Sequence, residues 1–137
     1  MSSINRPLAD PHMTFDLARQ LDELRREEAY QRSGRAGRTL AKQGRLRVVL
    51  VAAAEGVLLG TQQADSPMTV QVFEGGLRWR DEGGEHELRR GELLFFATGM
   101  AEDIRATSDS AVLLTVSAVG DDFQPGESEA SASGPAS

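Results

Sequence analysis

The sequence predicts an all-β domain preceded by one N-terminal helix, and three observations support this fold class. From residue 39 onward, short apolar segments alternate with turn signals, and no helix-length segment interrupts them. A single apolar stripe with helical spacing lies upstream of these segments. The chain has 137 residues, which is enough for one hydrophobic core but not for two. Many short strands at such spacing are typical of a sandwich or a closed barrel.

The N-terminal segment is predicted to be a helix over residues 14–31. Thr14 is a residue type that caps helices, and Asp16 in the first turn is favoured by the helix dipole. Three leucines then recur at spacings of four and three residues, namely Leu17, Leu21 and Leu24. They form one apolar face that must pack on another part of the molecule. Residues 1–13, which contain two prolines and no periodic pattern, are predicted to be a flexible arm.

The β domain is predicted to span residues 39–119. Its predicted strands are Thr39–Lys42, Leu46–Ala53, Val57–Leu59, Met68–Phe73, Leu77–Arg80, His86–Leu88, Leu93–Phe96, Asp103–Ala106 and Val112–Val116. Phe73, Phe95 and Phe96 are predicted to be core residues, and Trp79 a core or dimer-contact residue. Residues 120–137 carry too few apolar side chains to form a core, so they are predicted to be a disordered tail.

Three predicted strands are apolar on both faces, at Val48–Val51, Leu93–Phe96 and Val112–Leu114. A strand with one face in water should alternate apolar and polar residues instead. The N-terminal helix can cover one outer patch, and a second subunit is expected to cover the rest. We therefore expect a homodimer with the first and third of these runs at the contact, and with Val49 and Val51 on the outward face.

The charge distribution argues against nucleic acid as a partner. Residues 1–50 contain ten arginine and lysine residues against six acids, whereas residues 51–137 contain five against fifteen. The acidic second half repels phosphates. One stretch without acids carries six cations, at Arg32, Arg35, Arg38, Lys42, Arg45 and Arg47. We expect these side chains to be solvated and to pair with acids of the neighbouring helix or barrel.

The sequence also indicates the compartment. It contains no cysteine, so disulfide and thiolate chemistry are excluded. The longest apolar run, residues 48–54, has the length of a strand and not of a membrane span. The N-terminal sequence MSSINRPLADPH lacks the basic-then-apolar pattern of a secretory signal. A cytoplasmic protein without a membrane partner is expected.

Four short motifs occur in an order and spacing that is typical of one family. They are SGRAGRTL at 33–40, VFEG at 72–75, RGELL at 90–94 and ATGMAE at 97–102. The segment from Leu46 to Val116 resembles the small single-domain cupins. The resemblance implies a double-stranded β-helix, a jelly-roll barrel, and a metal held by three histidines and a glutamate.

Carried onto this sequence, the four metal-ligand positions of that family fall on Gln62, Ala64, Met68 and Glu102. Of these side chains, the carboxylate of Glu102 alone is a good ligand for a transition metal. The two histidines, His12 and His86, lie outside the motifs. We expect no bound metal and no cofactor.

The resemblance places a small, mostly apolar pocket inside the barrel mouth. Strand alternation adds the residues that follow Met68 and Glu102 on the inner face. The predicted pocket comprises Gln62, Ala64, Met68, Val70, Val72, Glu102 and Ile104. Met68 can also be explained as a packing residue that fills the space of the lost metal. In an apolar mouth, the pKa of Glu102 should be raised by desolvation.

Three functions are compatible with these residues. The leading one is a metal-free binding or sensing module for a small molecule, without an assigned catalytic activity. The second is a metal-independent isomerase or lyase in which Glu102 acts as the acid–base group, although no second proton donor or acceptor is evident in the pocket. The third is a protein-interaction scaffold that uses the outer sheet.

Overall fold

The computed structural model describes residues 11–64, 67–97 and 99–117, and for residues 60–64 and 99–103 it describes the backbone alone. The elements are α1 Leu17–Arg26, α2 Glu28–Ser33, β1 Arg35–Gln43, β2 Leu46–Ala53, β3 Leu58–Ala64, β4 Met68–Glu74, β5 Gly76–Asp81, β6 Gly84–Arg89, β7 Leu93–Phe96, β8 Gly99–Ala106 and β9 Ser110–Ser117. An all-β domain with an N-terminal helical segment is confirmed. The predicted arm up to residue 10 and the predicted tail lie outside the described residues. In the described ranges, no helix is long and apolar enough to cross a membrane.

The strands form two antiparallel sheets. Sheet A has the order β1-β2-β9-β4-β7, and sheet B has the order β3-β8-β5-β6. The two sheets are joined at one end by Ser110, whose buried hydroxyl accepts from the Gly76 nitrogen at 3.0 Å and lies 2.9 Å from the Gly76 carbonyl oxygen. We call this end of the barrel the closed end and the opposite one the open end.

Gly75 makes the tight turn from β4 into β5 at the closed end. Its φ is +79°, and a Cβ there would collide with the hydroxyl of Ser110 and with the carbonyl oxygen of Asp109. Only glycine tolerates both the backbone conformation and the close approach. Because the chain reverses here, β4 begins at the open end and β5 ends there. Met68 and Asp81, the outermost residues of these strands, therefore lie at the same end of the barrel.

The predicted single helix over 14–31 is wrong in its bounds, because the chain forms two helices. The cap of α1 is Asp16, whose side chain accepts from the Arg19 backbone nitrogen at 3.2 Å, and not Thr14. Glu27 interrupts the helical path in an extended conformation, and its carboxylate lies 2.6 Å from Nη2 of Arg38 on β1. Gly34 ends α2 in the left-handed region, so β1 begins at Arg35, four residues before the predicted start.

Two apolar clusters lie on opposite faces of sheet A. The interior cluster, between the sheets, contains Val49, Val51, Ala53, Leu59, Met68, Val70, Val72, Leu77, Trp79, Leu88, Ile104, Ala106, Val112, Leu114 and Val116. The outer cluster, between sheet A and the helices, contains Leu21, Leu24, Ala36, Leu40, Leu50, Ala52 and Ala111. The expectation that the helix covers an outer patch is confirmed, and the core interpretation of Trp79 is confirmed as well.

The orientation predicted for β2 is wrong. Val49 and Val51 face the interior, and the outward residue Leu50 is fully buried beneath the helices. Both faces of β2 are apolar because one face packs in the interior cluster and the other packs beneath the helices. A dimer contact on Val49 and Val51 is thereby excluded.

The outer face of β7 differs from that of β2, since it is not covered. Leu93 and Phe95 are 60% and 62% exposed, while Leu94 and Phe96 pack against the interior cluster. The prediction that Phe95 is a core residue is wrong. The helices cover the part of the outer face formed by β1, β2 and β9, and β7 lies at the far edge of the sheet.

Candidate functional site

The open end of the barrel is lined on sheet A by one row of four residues, which we call the mouth row. The row runs across four strands in register and consists of Arg47, Val116, Met68 and Phe96. It is the last interior row, because β2 begins one residue before it, β9 ends one residue after it, and the other two strands begin or end within it. Arg47, Val116 and Met68 are buried, and Phe96 is half-buried.

Arg47 is the functional candidate that sequence reasoning missed. The side chain was predicted to be solvated together with the other cations of residues 32–47, but Arg47 is only 8% exposed. Residues at intervals of two on a strand share a face, so Arg47 lies on the interior side with Val49 and Val51. Alternation could have found it, since counting back from Val49 leads to Arg47. Arginine is almost never buried unless an anionic or hydrogen-bonding group faces it.

Two other cations of that stretch, Arg32 and Arg38, pair with acids as predicted, whereas Arg35 donates to the carbonyl oxygen of Leu59 at 2.9 Å. Arg38 lies 2.9 Å from a carboxylate oxygen of Glu23 and 2.6 Å from one of Glu27, which ties β1 to the helices. The guanidinium of Arg38 lowers the pKa of the Glu23 carboxyl through their hydrogen bond. Arg32 pairs with Glu28 on the surface of α2 at 3.7 Å. Arg47 differs from these cations in its burial.

The predicted pocket residues on β4 and β8 are brought together where their side chains are described. Met68, Val70, Val72 and Ile104 are all buried in the interior cluster, with Met68 at the open end and Val72 near the closed end. This agrees with strand alternation on the inner face. Met68 packs against apolar neighbours, which is the behaviour of a space-filling methionine.

The remaining three predicted site residues have described backbones but side chains outside the described residues. Gln62 pairs with Ala101 and Ala64 pairs with Gly99 along β3 and β8. Glu102 stands opposite Arg80 on β5, and the pairing shifts register between Arg78 and Arg80. An irregularity of this kind interrupts the two-residue alternation that links Glu102 to Ile104. An inward Glu102 with a raised pKa stays a prediction.

A histidine–aspartate pair lies on sheet B at the open end. Nε2 of His86 is 2.8 Å from Oδ1 of Asp81, and the imidazole stacks on the indole of Trp79 with ring centroids 5.2 Å apart. Hydrogen bonds from His86 and from the Gly83 backbone lower the pKa of the Asp81 carboxyl. The pair lies at the rim of the barrel, beside the buried indole of Trp79.

The sequence and the fold of the chain can be compared with those of known proteins. No protein-family model and no curated protein sequence matches it. Solved structures do. An RmlC-like cupin protein from Desulfovibrio desulfuricans matches with a TM-score of 0.59 at 18% identity, over 77% of this chain and 97% of that one. KdgF from Halomonas sp. matches with a TM-score of 0.56 at 20% identity, over 63% and 82%.

The chain has the cupin fold.

A larger protein shares this fold in one part of its length. Salicylate 1,2-dioxygenase from Pseudoaminobacter salicylatoxidans, in its G106A form, matches with a TM-score of 0.69 at 14% identity, over 82% of this chain and 37% of that one. The same enzyme is known in complex with gentisate. At these identities the likeness establishes the cupin fold and no activity.

The metal centre that a cupin fold implies does not fit the residues of this chain. His12 is exposed before the first helix, and His86 is bonded to Asp81 at the rim of sheet B. Met68 occupies one of the expected ligand positions, and its buried thioether packs against hydrocarbon. Among the residues with described side chains, 11–59, 67–97 and 104–117, no three His, Cys, Asp or Glu side chains are grouped so that they could hold a metal ion. The donor set is wrong for a histidine-ligated metal.

Proposed function

We propose that this chain is a cupin-fold binding or sensing module, which holds a small molecule in the apolar interior of its barrel without a histidine-ligated metal. The observation that carries the proposal is the composition of the interior at the open end. Met68 stands at one of the expected metal-ligand positions, and it shares the apolar interior with Val70 and Ile104. An apolar lining with few, well-placed polar groups is typical of small-molecule sites.

Binding is a better account of this interior than catalysis. A proton-transfer enzyme needs an acid and a base within hydrogen-bond reach of the reacting atom. His86 and Asp81 bond to each other at the rim, and their side chains are 40% and 46% exposed. Tyr30 packs in the outer cluster, on the opposite face of sheet A. Glu102 would have to perform acid–base chemistry without help from any of these three residues.

The test of this proposal is the small molecule that remains on the protein after gentle purification. Organic extraction followed by mass spectrometry should identify one compound in the wild type. Val70→Phe, which fills the interior, should release less of it than the control Thr69→Phe on the other face of β4. Equal yields from the two variants would place the compound outside the barrel and contradict the proposal. Elemental analysis should show no stoichiometric transition metal, and about one metal per chain retained through dialysis would contradict the metal-free part.

A second candidate function, protein contact through the outer sheet, is favoured by the bare face of β7. Leu93 and Phe95 form an exposed apolar pair on the edge strand of sheet A. Exposed apolar patches of this kind mark interaction sites. We propose that a second copy of the chain packs on this pair to form a homodimer. Both proposed functions can coexist, since Leu93 and Phe95 lie on the outer face of β7, whereas Phe96 of the mouth row lies on its interior face.

A further inference from the structure

We propose that the outer face of sheet A, near the open end, packs against the same face of a second copy across all five strands, about a two-fold axis close to Thr115. This inference rests on the homodimer proposed above. It extends the contact from Leu93 and Phe95 on β7 to the opposite side of the sheet, and it does not require a ligand in the barrel.

A single row of side chains, which we call the outer row, crosses this face in register. Its members, paired from strand to strand, are Phe95, Thr69, Thr115, Val48 and Ala41. Directly paired residues of antiparallel strands share a face, and Val48 marks it as the outer one because it packs against the outer cluster. None of the five is charged, although 26% of the chain is. The row spans about 19 Å, since neighbouring strands are separated by about 4.8 Å.

Exposed apolar side chains lie at both ends of the outer row. Leu46 is 51% exposed, Leu93 is 60% exposed and Phe95 is 62% exposed, and they are three of the four large apolar side chains that are exposed among the described residues. Leu46 precedes Val48 by two residues on β2, so it shares the outer face. Because β2 and β7 are three strands apart, the exposed apolar surface extends well beyond the β7 edge.

The outer face of sheet B has the opposite character. On β5 and β6 the residues that alternate with interior side chains are charged. Arg78 pairs with Glu87 at 3.6 Å, and Arg80 stands opposite Glu85. Polar side chains of this kind are typical of a sheet face in contact with water. The charge-free outer row is therefore specific to sheet A and marks a surface that is suited to a partner.

The lack of charge points to a second copy as that partner. The chain has a net charge of −6, so two copies repel each other unless they meet on a neutral surface. In a two-fold dimer both copies use the same patch, and a residue on the axis faces itself. A charge there would meet its like, whereas the middle residue of the outer row is the uncharged Thr115. An acidic lipid surface or a nucleic acid would require lysine or arginine, which the row lacks.

The first experiment places a charge at each end of the outer row. Light scattering across micromolar concentrations gives the dimer dissociation constant of the full-length wild type, Leu46→Glu and Phe95→Glu. Both variants should weaken the dimer at least about tenfold, because symmetry buries each new carboxylate twice. Leu58→Glu is the matched control, since Leu58 is 39% exposed on β3 of sheet B. All three positions are exposed, so the variants should fold.

The second experiment tests the two-fold axis. Thr115→Glu and Thr115→Lys should each dimerise poorly alone, because like charges face each other across the axis. An equal mixture of the two should associate at least about tenfold more tightly than either alone, through an ion pair between the copies. Leu58→Glu mixed with Leu58→Lys is the control, and this mixture should associate no better than its components.

The outcomes separate the wide contact from the dimer itself. If Phe95→Glu weakens the dimer and Leu46→Glu does not, the contact is confined to β7, and the five-strand contact is wrong while the homodimer stands. If the mixture of Thr115 variants associates no better than either alone, the axis does not pass near Thr115, and the proposed geometry is wrong. If Leu58→Glu weakens the dimer as strongly as Leu46→Glu, the outer row is not the specific contact. A wild type that is monomeric throughout the range would overturn both the wide contact and the homodimer.

Discussion

The two faces of sheet A are both apolar, but they are covered in different ways. The outer cluster is sealed by α1, and Leu21 and Leu24 are 3% and 0% exposed. The interior cluster is closed at one end by Ser110 and ends at the other in the mouth row. Arg47 is buried in the mouth row, whereas Arg38, between β1 and the helices, keeps a side-chain exposure of 22%. One face thus serves the stability of the fold, and the other is the face where we propose that a ligand binds.

A similar contrast exists within the outer face itself. The helices pack over β1, β2 and β9, whereas Leu93 and Phe95 on β7 remain exposed. Strands that are apolar on both faces therefore differ in what their outer face contacts. The outer face of β2 is covered by the helices, and the outer face of β7 is exposed. The sequence pattern is the same in each case, and only the neighbours differ.

The largest expected effect is on the sealed outer cluster. Leu24→Ala should lower the free energy of unfolding by about 2–5 kcal/mol, because it leaves a cavity at a fully buried site. Leu93→Ala, the same change at an exposed position, should cost less than about 0.5 kcal/mol. Urea unfolding of both variants measures the difference. Similar losses would show that β7 is buried in solution by something other than the helices.

The bare edge should affect association instead of folding. Phe95→Ser should weaken the homodimer at least about fivefold, since a loss of about 1 kcal/mol marks an interface residue that matters. Glu85→Ser, an exposed change on β6 of the other sheet, is the control. Light scattering across micromolar concentrations measures the assembly. A wild type that is monomeric throughout this range would contradict the proposed dimer.

A smaller effect is expected where the helices are tied to the sheet by charge. Arg38 has a side-chain exposure of 22% and contacts Gln20, Glu23 and Glu27. Arg38→Met should cost about 1–2 kcal/mol, because hydrogen bonds to charged groups are stronger than neutral ones. Arg32→Met should cost less than about 0.5 kcal/mol, since that pair is exposed on both sides. Equal costs in urea unfolding would mean that the Arg38 contacts contribute little in solution.

The smallest effect is a pH dependence at the rim of the interior. The pKa of Asp81 is lowered from its usual 3.8 in the folded state, so its contacts with His86 and Gly83 stabilise the fold above that value. This contribution is lost as the pH falls through the lowered pKa. Wild type and Asp81→Asn should therefore differ in unfolding free energy near neutral pH and converge in strong acid. A difference that persists unchanged below the lowered pKa would exclude the carboxylate as its source.

The sequence was sufficient to locate the strands but not to decide what each strand face contacts. Turn residues and two-residue periodicity located all nine described strands, because these signals are local. They did not decide which set of β2 side chains faces inward, since Val49 and Leu50 are equally apolar and only the position of the helix distinguishes them. Arg47 lies on the same strand, and its burial was missed because the neighbouring cations suggested a solvated surface.

The candidate site was predicted in part. Met68, Val70, Val72 and Ile104 lie in the interior cluster, as alternation from the family motifs requires. Gln62, Ala64 and Glu102 stay predictions, and the register shift near Arg80 shows why alternation alone does not extend to Glu102. Side-chain direction depends on bulges, which the apolar pattern does not encode.

The most direct test of the account is a methyl NMR map of where the copurifying compound binds. The compound is added to protein labelled at Met, Val, Ile and Leu methyls. The account predicts shifts at Met68, Val70 and Ile104 in the interior cluster and none at Leu21, Leu24 and Leu50 in the outer cluster. Shifts confined to the outer cluster or to Leu93 would contradict the central claim that the open interior is the binding site.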